Sequence, residues 1–171
     1  LKNGHNPLEV LKEITSIFPW DASVSAEVVG ETVEDMLAMA DTYLEIAPNI
    51  TIKVPCTRTG LKACKDLSED DVAVNVTLIF SAAQAILASK AGATYVSPFV
   101  GRLNDQYWDG ISLVEEISDV YSTHGAKTQV LAASIREPLQ VAKCFRVGAD
   151  ICTLPWDIFN LSLIHISEPT R

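Results

Sequence analysis

The chain has 171 residues, 48% of them hydrophobic, which is enough apolar material for the core of one globular domain. Its 13 basic and 22 acidic side chains give a formal net charge of −9, which argues against nonspecific binding to nucleic acid or anionic membranes. No apolar run approaches the roughly 18 residues that a membrane helix needs, and the first residues do not resemble a signal peptide.

Short β-rich segments alternate with helical segments along the chain. The first half is predicted to contain helix 7–18, strand 23–29, helix 32–47, strand 51–54, helix 57–67 and strand 72–78. The second half is predicted to contain helix 81–91, strand 95–99, helix 112–124, strand 129–133, helix 138–147, strand 150–153 and a last helix from residue 155. This alternation predicts a parallel sheet, either an open doubly wound sheet or a (β/α)8 barrel.

The barrel is favoured over the open sheet. No Gly-rich dinucleotide fingerprint or P-loop follows a predicted strand. The six strand centres advance by about 25 residues on average, and two more units would bring the chain into the length range of barrels. We therefore predict an incomplete (β/α)8 TIM barrel, in which strands three to eight are present, whereas strands one and two and most of the last helix are missing.

The last eleven residues, LSLIHISEPTR, match the conceptual translation of a transposase-type sequencing adapter. We expect residues 161–171 to be an artefact of that adapter and residues 1–160 to be the partial barrel domain. A native amphipathic tail is the alternative, and the underlying nucleotides would decide between the two. A first residue other than Met also fits a gene cut at both ends.

Polar side chains recur at alternate positions of the predicted strands, although buried parallel strands are normally apolar throughout. Alternate residues of a strand point to the same face, so we expect these side chains to line the mouth of the barrel. They are Ser25 and Glu27, Thr51 and Lys53, Asn75 and Thr77, then Tyr95 and Ser97, and finally Ser134 and Arg136 after strand 129–133. The apolar Phe99 shares the face of Tyr95 and Ser97.

Lys53 stands between Ile52 and Val54 in a strand predicted to be buried on both faces. Loss of hydration favours a neutral amine, and a neutral amine attacks ketones to form a Schiff base. A lysine that snorkels from the end of the strand fits the pattern equally well. Glu27 occupies the corresponding position one strand away, either as a partner in proton transfer or as half of a structural ion pair.

Five further polar residues lie on or after the later strands. Asn75 and Thr77 could hold a substrate hydroxyl and a water, or they could be core groups with satisfied hydrogen bonds. Arg102, Ser134 and Arg136 follow strand ends, and the last loops of this face commonly bind phosphate in barrels. Because arginine binds phosphate through two parallel hydrogen bonds, these three residues predict an anion site, with surface ion pairing as the alternative.

The cysteines and histidines carry no metal-binding signal. The three histidines are far apart in sequence, and we expect no metal site. The cysteines are widely spaced without a CxxC motif and predict reduced, partly buried thiols of a cytoplasmic protein. They are Cys56, Cys64, Cys144 and Cys152.

Five segments of the sequence resemble the small bacterial transaldolases, in the order in which that family carries them. They are VSAEV at 24–28, ITIKVP at 50–55, NVTLIF at 75–80, AGATYVSPFVGR at 91–102 and AASIR at 132–136. The resemblance extends from about residue 7 to residue 160. It implies a TIM-barrel enzyme of the cytoplasm that acts on sugar phosphates in the pentose phosphate pathway. It also implies a homo-oligomer without a cofactor or a nucleic-acid or membrane partner.

The resemblance further implies a metal-free aldol transfer. Lys53 matches the lysine that attacks the C2 ketone of a ketose phosphate, after which the C3–C4 bond breaks and a dihydroxyacetone unit passes to an aldose phosphate. Glu27 matches the acid/base carboxylate, which acts through a water held by Thr77. The other matches are Asn75 and Ser97, which contact the substrate, and Arg102, Ser134 and Arg136, which bind its phosphate.

Two positions separate transaldolases from the similar fructose 6-phosphate aldolases, which carry Gln in place of Glu27 and Tyr in place of Phe99. A tyrosine hydroxyl near the enamine would assist release of free dihydroxyacetone, and Phe99 has no such hydroxyl. We therefore favour transfer over simple cleavage. The alternatives are a fructose 6-phosphate aldolase, another Schiff-base barrel such as a deoxyribose-phosphate aldolase, and a noncatalytic barrel that serves as a scaffold.

The family's Asp on its first strand and Thr-Asn-Pro-Ser motif on its second have no counterpart in this sequence. The predicted function therefore concerns the intact gene product. Residues 1–160 alone are expected to show little activity and, because two strand edges would be unpaired, poor solubility. Expression of this segment tests the prediction, and a soluble, active transaldolase would refute it.

Overall fold

A computed structural model describes residues 6–18 and 21–163, which contain a six-stranded sheet. All neighbouring strands are parallel, and their spatial order is their chain order. A doubly wound sheet would reverse its order at a switch point, so this arrangement is consistent with part of a β/α barrel. The strands are β1 Val24–Glu27, β2 Ile50–Pro55, β3 Val74–Ile79, β4 Tyr95–Pro98, β5 Gln129–Ala132 and β6 Ile151–Cys152.

Helices connect the strands, and most begin at a residue that caps the first turn. Thr32, Thr57, Ser81 and Asp109 each accept a hydrogen bond from a backbone N–H of the helix that follows. The helices are α1 Pro7–Ile17, α2 Val33–Leu44, α3 Arg58–Glu69, α4 Ala82–Lys90, α5 Val100–Asn104, α6 Gly110–His124, α7 Pro138–Arg146 and α8 Trp156–Ser162. Apart from α5, each of these elements is predicted from the sequence, with ends that differ by a few residues.

Helix α5 is the element that the sequence does not predict. It has five residues, which is too short to show a helical period in hydrophobicity, and its N-cap Phe99 makes no capping hydrogen bond through its side chain. Strand β4 consequently ends at Pro98 instead of Phe99, which forms only an isolated parallel bridge to Ala133.

The hydrophobic core lies where the helices pack on one face of the sheet. The strand residues that point to this face are fully or almost fully buried, and small side chains of the helices pack against them. They are Ile52, Val54, Val74, Val76, Val96 and Val130 from the strands, with Ala63, Cys64, Ala85, Ala88, Val114 and Ile117 from the helices. Because strand residues alternate, the polar set points to the opposite face.

A β-bulge interrupts β3 near its carboxyl end. Leu78 has a φ of 60°, in the left-handed region, and the register with β4 shifts between Val76 and Ile79. Such bulges are common beside active sites, where they redirect side chains. Thr77, the residue before the bulge, is therefore the last one on β3 that follows the regular alternation.

The cysteines follow the predicted pattern of burial. Cys64 and Cys144 are buried, and Cys56 and Cys152 are half-buried. Burial raises the pKa of the Cys64 thiol to about 12, so this thiol stays protonated at neutral pH.

The predicted boundary after Asn160 falls inside α8, which continues to Ser162. Residues 164–171, which make up most of the predicted adapter segment, lie outside the described residues. Within the described part of the chain, no helix is long and apolar enough to cross a membrane.

Candidate active site

The polar side chains of the strands converge on a cavity of about 470 Å³ at the carboxyl ends of the strands. Eight of the nine predicted site residues line it, and the ninth, Glu27, contacts one of them. The predicted residues in the lining are Lys53, Asn75, Thr77, Ser97, Phe99, Arg102, Ser134 and Arg136. The structure therefore brings together residues from five strands and their following loops, while their chemical roles stay predictions.

Lys53 and Glu27 form an ion pair across β1 and β2. Their Cα atoms are register partners, and the distance from Lys53 Nζ to Glu27 Oε2 is 2.9 Å. The side chains are 27% and 43% exposed, so Lys53 lies between the two predicted alternatives, a desolvated amine and a lysine that snorkels from the strand. The amine is half-buried at the open end of the strand, and the carboxylate beside it is within reach to accept its proton.

A chain of hydrogen bonds crosses the floor of the cavity. The Ser97 hydroxyl donates to Asn75 Oδ1 at 2.8 Å, and Asn75 Nδ2 donates to Ser25 Oγ at 3.4 Å. Ser25 and Asn75 lie on β1 and β3, which a flat sheet would hold about 10 Å apart across the intervening strand. The sheet must therefore curl toward the cavity, as a barrel wall does.

The Thr77 hydroxyl has no hydrogen-bond partner among the described residues, although the residue is 1% exposed. A buried hydroxyl without a partner destabilises a fold by about 1 to 3 kcal/mol. Thr77 is one of the residues that line the cavity, so its unpartnered hydroxyl is a candidate for a bound water or substrate hydroxyl there. This geometry favours the functional interpretation of Thr77 over that of a satisfied core group.

Two guanidinium groups, of Arg102 and Arg136, also line the cavity. Arg102 is carried by α5, and its guanidinium lies 4.8 Å from the centre of the Phe99 ring. Arg136 Nη2 donates to Asp105 Oδ2 at 2.9 Å. Ser134, which also lines the cavity, has a φ of 61°, a left-handed conformation that is costly outside glycine. The two arginines and the serine line one cavity, but Arg136 also forms an exposed ion pair, so the anion site stays a prediction.

Other residues of the site are not predicted from the sequence. Asp105 is missed because α5 is missed and because its partner, Arg136, lies 31 residues away in sequence, which no local pattern indicates. Conversely, Thr51 and Tyr95 share the predicted polar face but do not line the cavity. The unpredicted lining residues are Leu131, Ala133, Ile135, Thr153 and Pro155.

The described residues offer no metal centre, since no three His, Cys, Asp or Glu side chains in 6–18 and 21–163 are placed to hold an ion. Of the histidines, His124 lies in the last turn of α6, whereas His5 and His165 fall outside these ranges.

A parallel β/α sheet with a polar cavity at the carboxyl ends of its strands is the arrangement found in β/α-barrel enzymes, whose active sites occupy that face. Within this class, the match to a family model extends over residues 7–168 and is described as transaldolase/fructose-6-phosphate aldolase. The chain belongs to this family.

Curated relatives agree with the family match. A "Probable transaldolase" of Cereibacter sphaeroides (strain ATCC 17029 / ATH 2.4.9) is 51% identical over 97% of this chain and 75% of its own length. A "Probable transaldolase" of Methanococcus vannielii is 48% identical over 96% of this chain and 78% of its own length. "Probable transaldolase 1" of Listeria monocytogenes is 45% identical over 96% of this chain and 76% of its own length.

Replacement of Thr77 by valine should leave the free energy of unfolding unchanged or raise it by up to about 1 kcal/mol, because the variant loses a buried hydroxyl that has no partner. Urea denaturation measures this change. Thr51→Val is the matched control, since the Thr51 hydroxyl is also buried but lies 2.7 Å from Ser23 Oγ. The free energy of unfolding of Thr51→Val should fall by about 1 kcal/mol. Equal losses in both variants would show that the Thr77 hydroxyl is satisfied in the fold.

Proposed function

We propose that the complete product of the gene that encodes this chain is a transaldolase. It transfers a dihydroxyacetone unit from a ketose phosphate to an aldose phosphate through a Schiff base on Lys53. The observation that carries the proposal is the position of the Lys53 amine, which lines the same cavity as two guanidinium groups and lies 2.9 Å from a carboxylate. The name of the relatives, "Probable transaldolase", supports this activity. We place the reaction in the pentose phosphate pathway as part of the proposal.

The first step joins Lys53 to the substrate. The ammonium gives a proton to Glu27, and the free amine then attacks C2 of the ketose. The carbonyl oxygen leaves as water, with protons supplied through Glu27, and a cationic imine remains on the lysine. A water held by the unpartnered Thr77 hydroxyl would link Glu27 to the reacting atoms, which supports the roles of both residues.

The second step breaks and remakes a carbon–carbon bond. The C4 hydroxyl gives its proton to the water–Glu27 pair while the C3–C4 electron pair moves into the cationic imine. An aldose leaves, and a three-carbon enamine stays on Lys53. Its C3 then attacks the carbonyl carbon of the acceptor aldose, and hydrolysis of the imine frees the new ketose. Asn75 and Ser97 lie on the cavity floor, where they would hydrogen-bond the substrate hydroxyl groups.

The arginine rim is proposed to bind the phosphate. Arg102 and Arg136 offer planar sets of N–H donors, and Ser134 adds a hydroxyl between them. The two guanidinium groups place positive charge beside the cavity of a chain whose net charge is −9, which supports binding of an anionic substrate there.

Transfer of the dihydroxyacetone unit is favoured over its release as free dihydroxyacetone, because the side chain at position 99 is phenylalanine and has no acidic hydroxyl to protonate the enamine. This ring packs edge-on against Phe80 at 5.7 Å and under Arg102 at 4.8 Å, which leaves it no way to protonate an enamine. The enamine therefore persists until an acceptor aldehyde arrives. A fructose 6-phosphate aldolase remains the second candidate, because the family match covers both activities. A noncatalytic scaffold is the third.

We also propose that β1 to β6 correspond to strands three to eight of a full barrel in the complete gene product. Among the described residues, β1 and β6 each have one partner strand, and the relatives are longer than this chain. The proposal places the complete protein in the cytoplasm as a homo-oligomer without a cofactor. Its partners are sugar phosphates, not nucleic acids or membranes.

Borohydride trapping tests the Schiff base. With fructose 6-phosphate and borohydride, the complete gene product should gain a stable adduct on Lys53, which peptide mass spectrometry locates. Lys53→Met should abolish the adduct and the transfer activity. Lys65→Met, which removes an exposed lysine of α3, is the control and should keep both. An adduct on another lysine, or none at all, would overturn the proposed mechanism.

The acceptor requirement tests transfer against cleavage. Fructose 6-phosphate alone should yield little free dihydroxyacetone, and addition of an aldose phosphate should start turnover. Phe99→Tyr should increase free dihydroxyacetone by about tenfold or more, since the new hydroxyl can act as an acid. Phe80→Tyr adds a hydroxyl outside the cavity and should change nothing. Rapid dihydroxyacetone release by the unaltered protein would favour the aldolase.

A further inference from the structure

Helix α5 packs against the guanidinium of Arg136. Gly101 lies so close to Arg136 that a Cβ at this glycine would be 2.7 Å from Cγ and 2.8 Å from Nε. One turn later, Asp105 accepts the hydrogen bond from Arg136 Nη2 at 2.9 Å. Helix α5 thus provides, at Gly101, the backbone against which the Arg136 side chain packs, and its C-cap Asp105 provides the hydrogen-bond acceptor for the guanidinium.

Arg136 is fixed at its backbone as well. Its N–H donates to the side-chain oxygen of Gln140 at 2.8 Å, and Gln140 is buried. The Arg136 side chain itself is 56% exposed. A long exposed side chain loses rotamer freedom when it binds a ligand, and this loss weakens binding unless a neighbour has already ordered the side chain.

We propose that Asp105 is a positioning residue that holds the Arg136 guanidinium ready for the phosphate of the sugar substrate. This inference rests on the proposed function. Asp105 accepts one hydrogen bond from Nη2, so the remaining N–H groups of the guanidinium can still donate to phosphate oxygens. Asp105 does not line the cavity and therefore acts through Arg136.

The carboxylate of Asp105 also repels an incoming phosphate. This repulsion weakens phosphate binding, whereas the ordering of the Arg136 side chain strengthens it. Asp105 is 53% exposed, so water and salt screen its charge. The hydrogen bond from Arg136 Nη2 acts at 2.9 Å, where screening by salt is weaker than over the longer distance from Asp105 to a phosphate on the far side of the guanidinium. We therefore expect positioning to outweigh repulsion, and loss of Asp105 to weaken binding.

Steady-state kinetics of the complete gene product test the inference. Asp105→Ala should raise KM for fructose 6-phosphate about three- to tenfold with kcat within about twofold. Activity toward fructose, which has no phosphate, should not change. Asp105→Glu should recover part of the lost affinity. Glu69→Ala removes the carboxylate of an exposed ion pair on α3 and is the matched control, with no effect expected on either substrate.

A double-mutant cycle separates this inference from the proposed function. In an Arg136→Ala background, Asp105→Ala should have no further effect. If Arg136→Ala affects both sugars alike, the proposed phosphate site is wrong. If Arg136→Ala impairs only the phosphorylated sugar, the phosphate site stands. The positioning role of Asp105 is then wrong if Asp105→Ala lowers KM or leaves it unchanged. It is also wrong if Asp105→Ala impairs activity on both sugars or if its effect adds fully to that of Arg136→Ala.

Discussion

The parallel register of β1, β2 and β3 is the constraint on which the site depends. Glu27 pairs with Lys53, and Lys53 pairs with Asn75, so three reactive or polar residues stand in one row across the sheet. Neighbouring strands lie about 4.8 Å apart, which lets the carboxylate meet the amine directly. A slip of one residue would turn Lys53 toward the helices and place an apolar neighbour in the cavity.

Several residues near this row destabilise the fold and make no compensating contribution to the hydrophobic core. Thr77 has a buried hydroxyl without a partner in the described chain, and Leu78 and Ser134 have left-handed backbones. Such conformations persist where surrounding structure enforces them, and they cluster at active sites. Here all three lie at the carboxyl ends of β3 and β5, beside the cavity. Asp71 and Tyr107 also have left-handed backbones, and the Ser118 hydroxyl is also buried without a partner in the described chain, but these residues do not line the cavity. Part of the departure from ideal structure therefore lies at the proposed site.

Much of this arrangement is predictable from the sequence, because the alternation of polar and apolar residues in a strand shows which side chains share one face of the sheet. The placement of Lys53, Asn75 and Thr77 on one face needs only the period of two. The partial exposure of Lys53 depends on how far the strand end lies from the helix layer, which no local pattern encodes. Helix α5 is too short for periodicity, and the contact between Asp105 and Arg136 depends on β4 and β5 being neighbours in the sheet, which joins residues 31 positions apart.

The central claim is that one cavity holds a sugar covalently at Lys53 and its phosphate at the arginine rim. A crystal structure of the complete gene product soaked with fructose 6-phosphate tests both halves at once. We expect continuous electron density between Lys53 Nζ and C2 of the sugar, with the phosphate within hydrogen-bond distance of Arg102 and Arg136. A sugar bound without a bond to Lys53, with its phosphate directed away from both arginines, would contradict the claim.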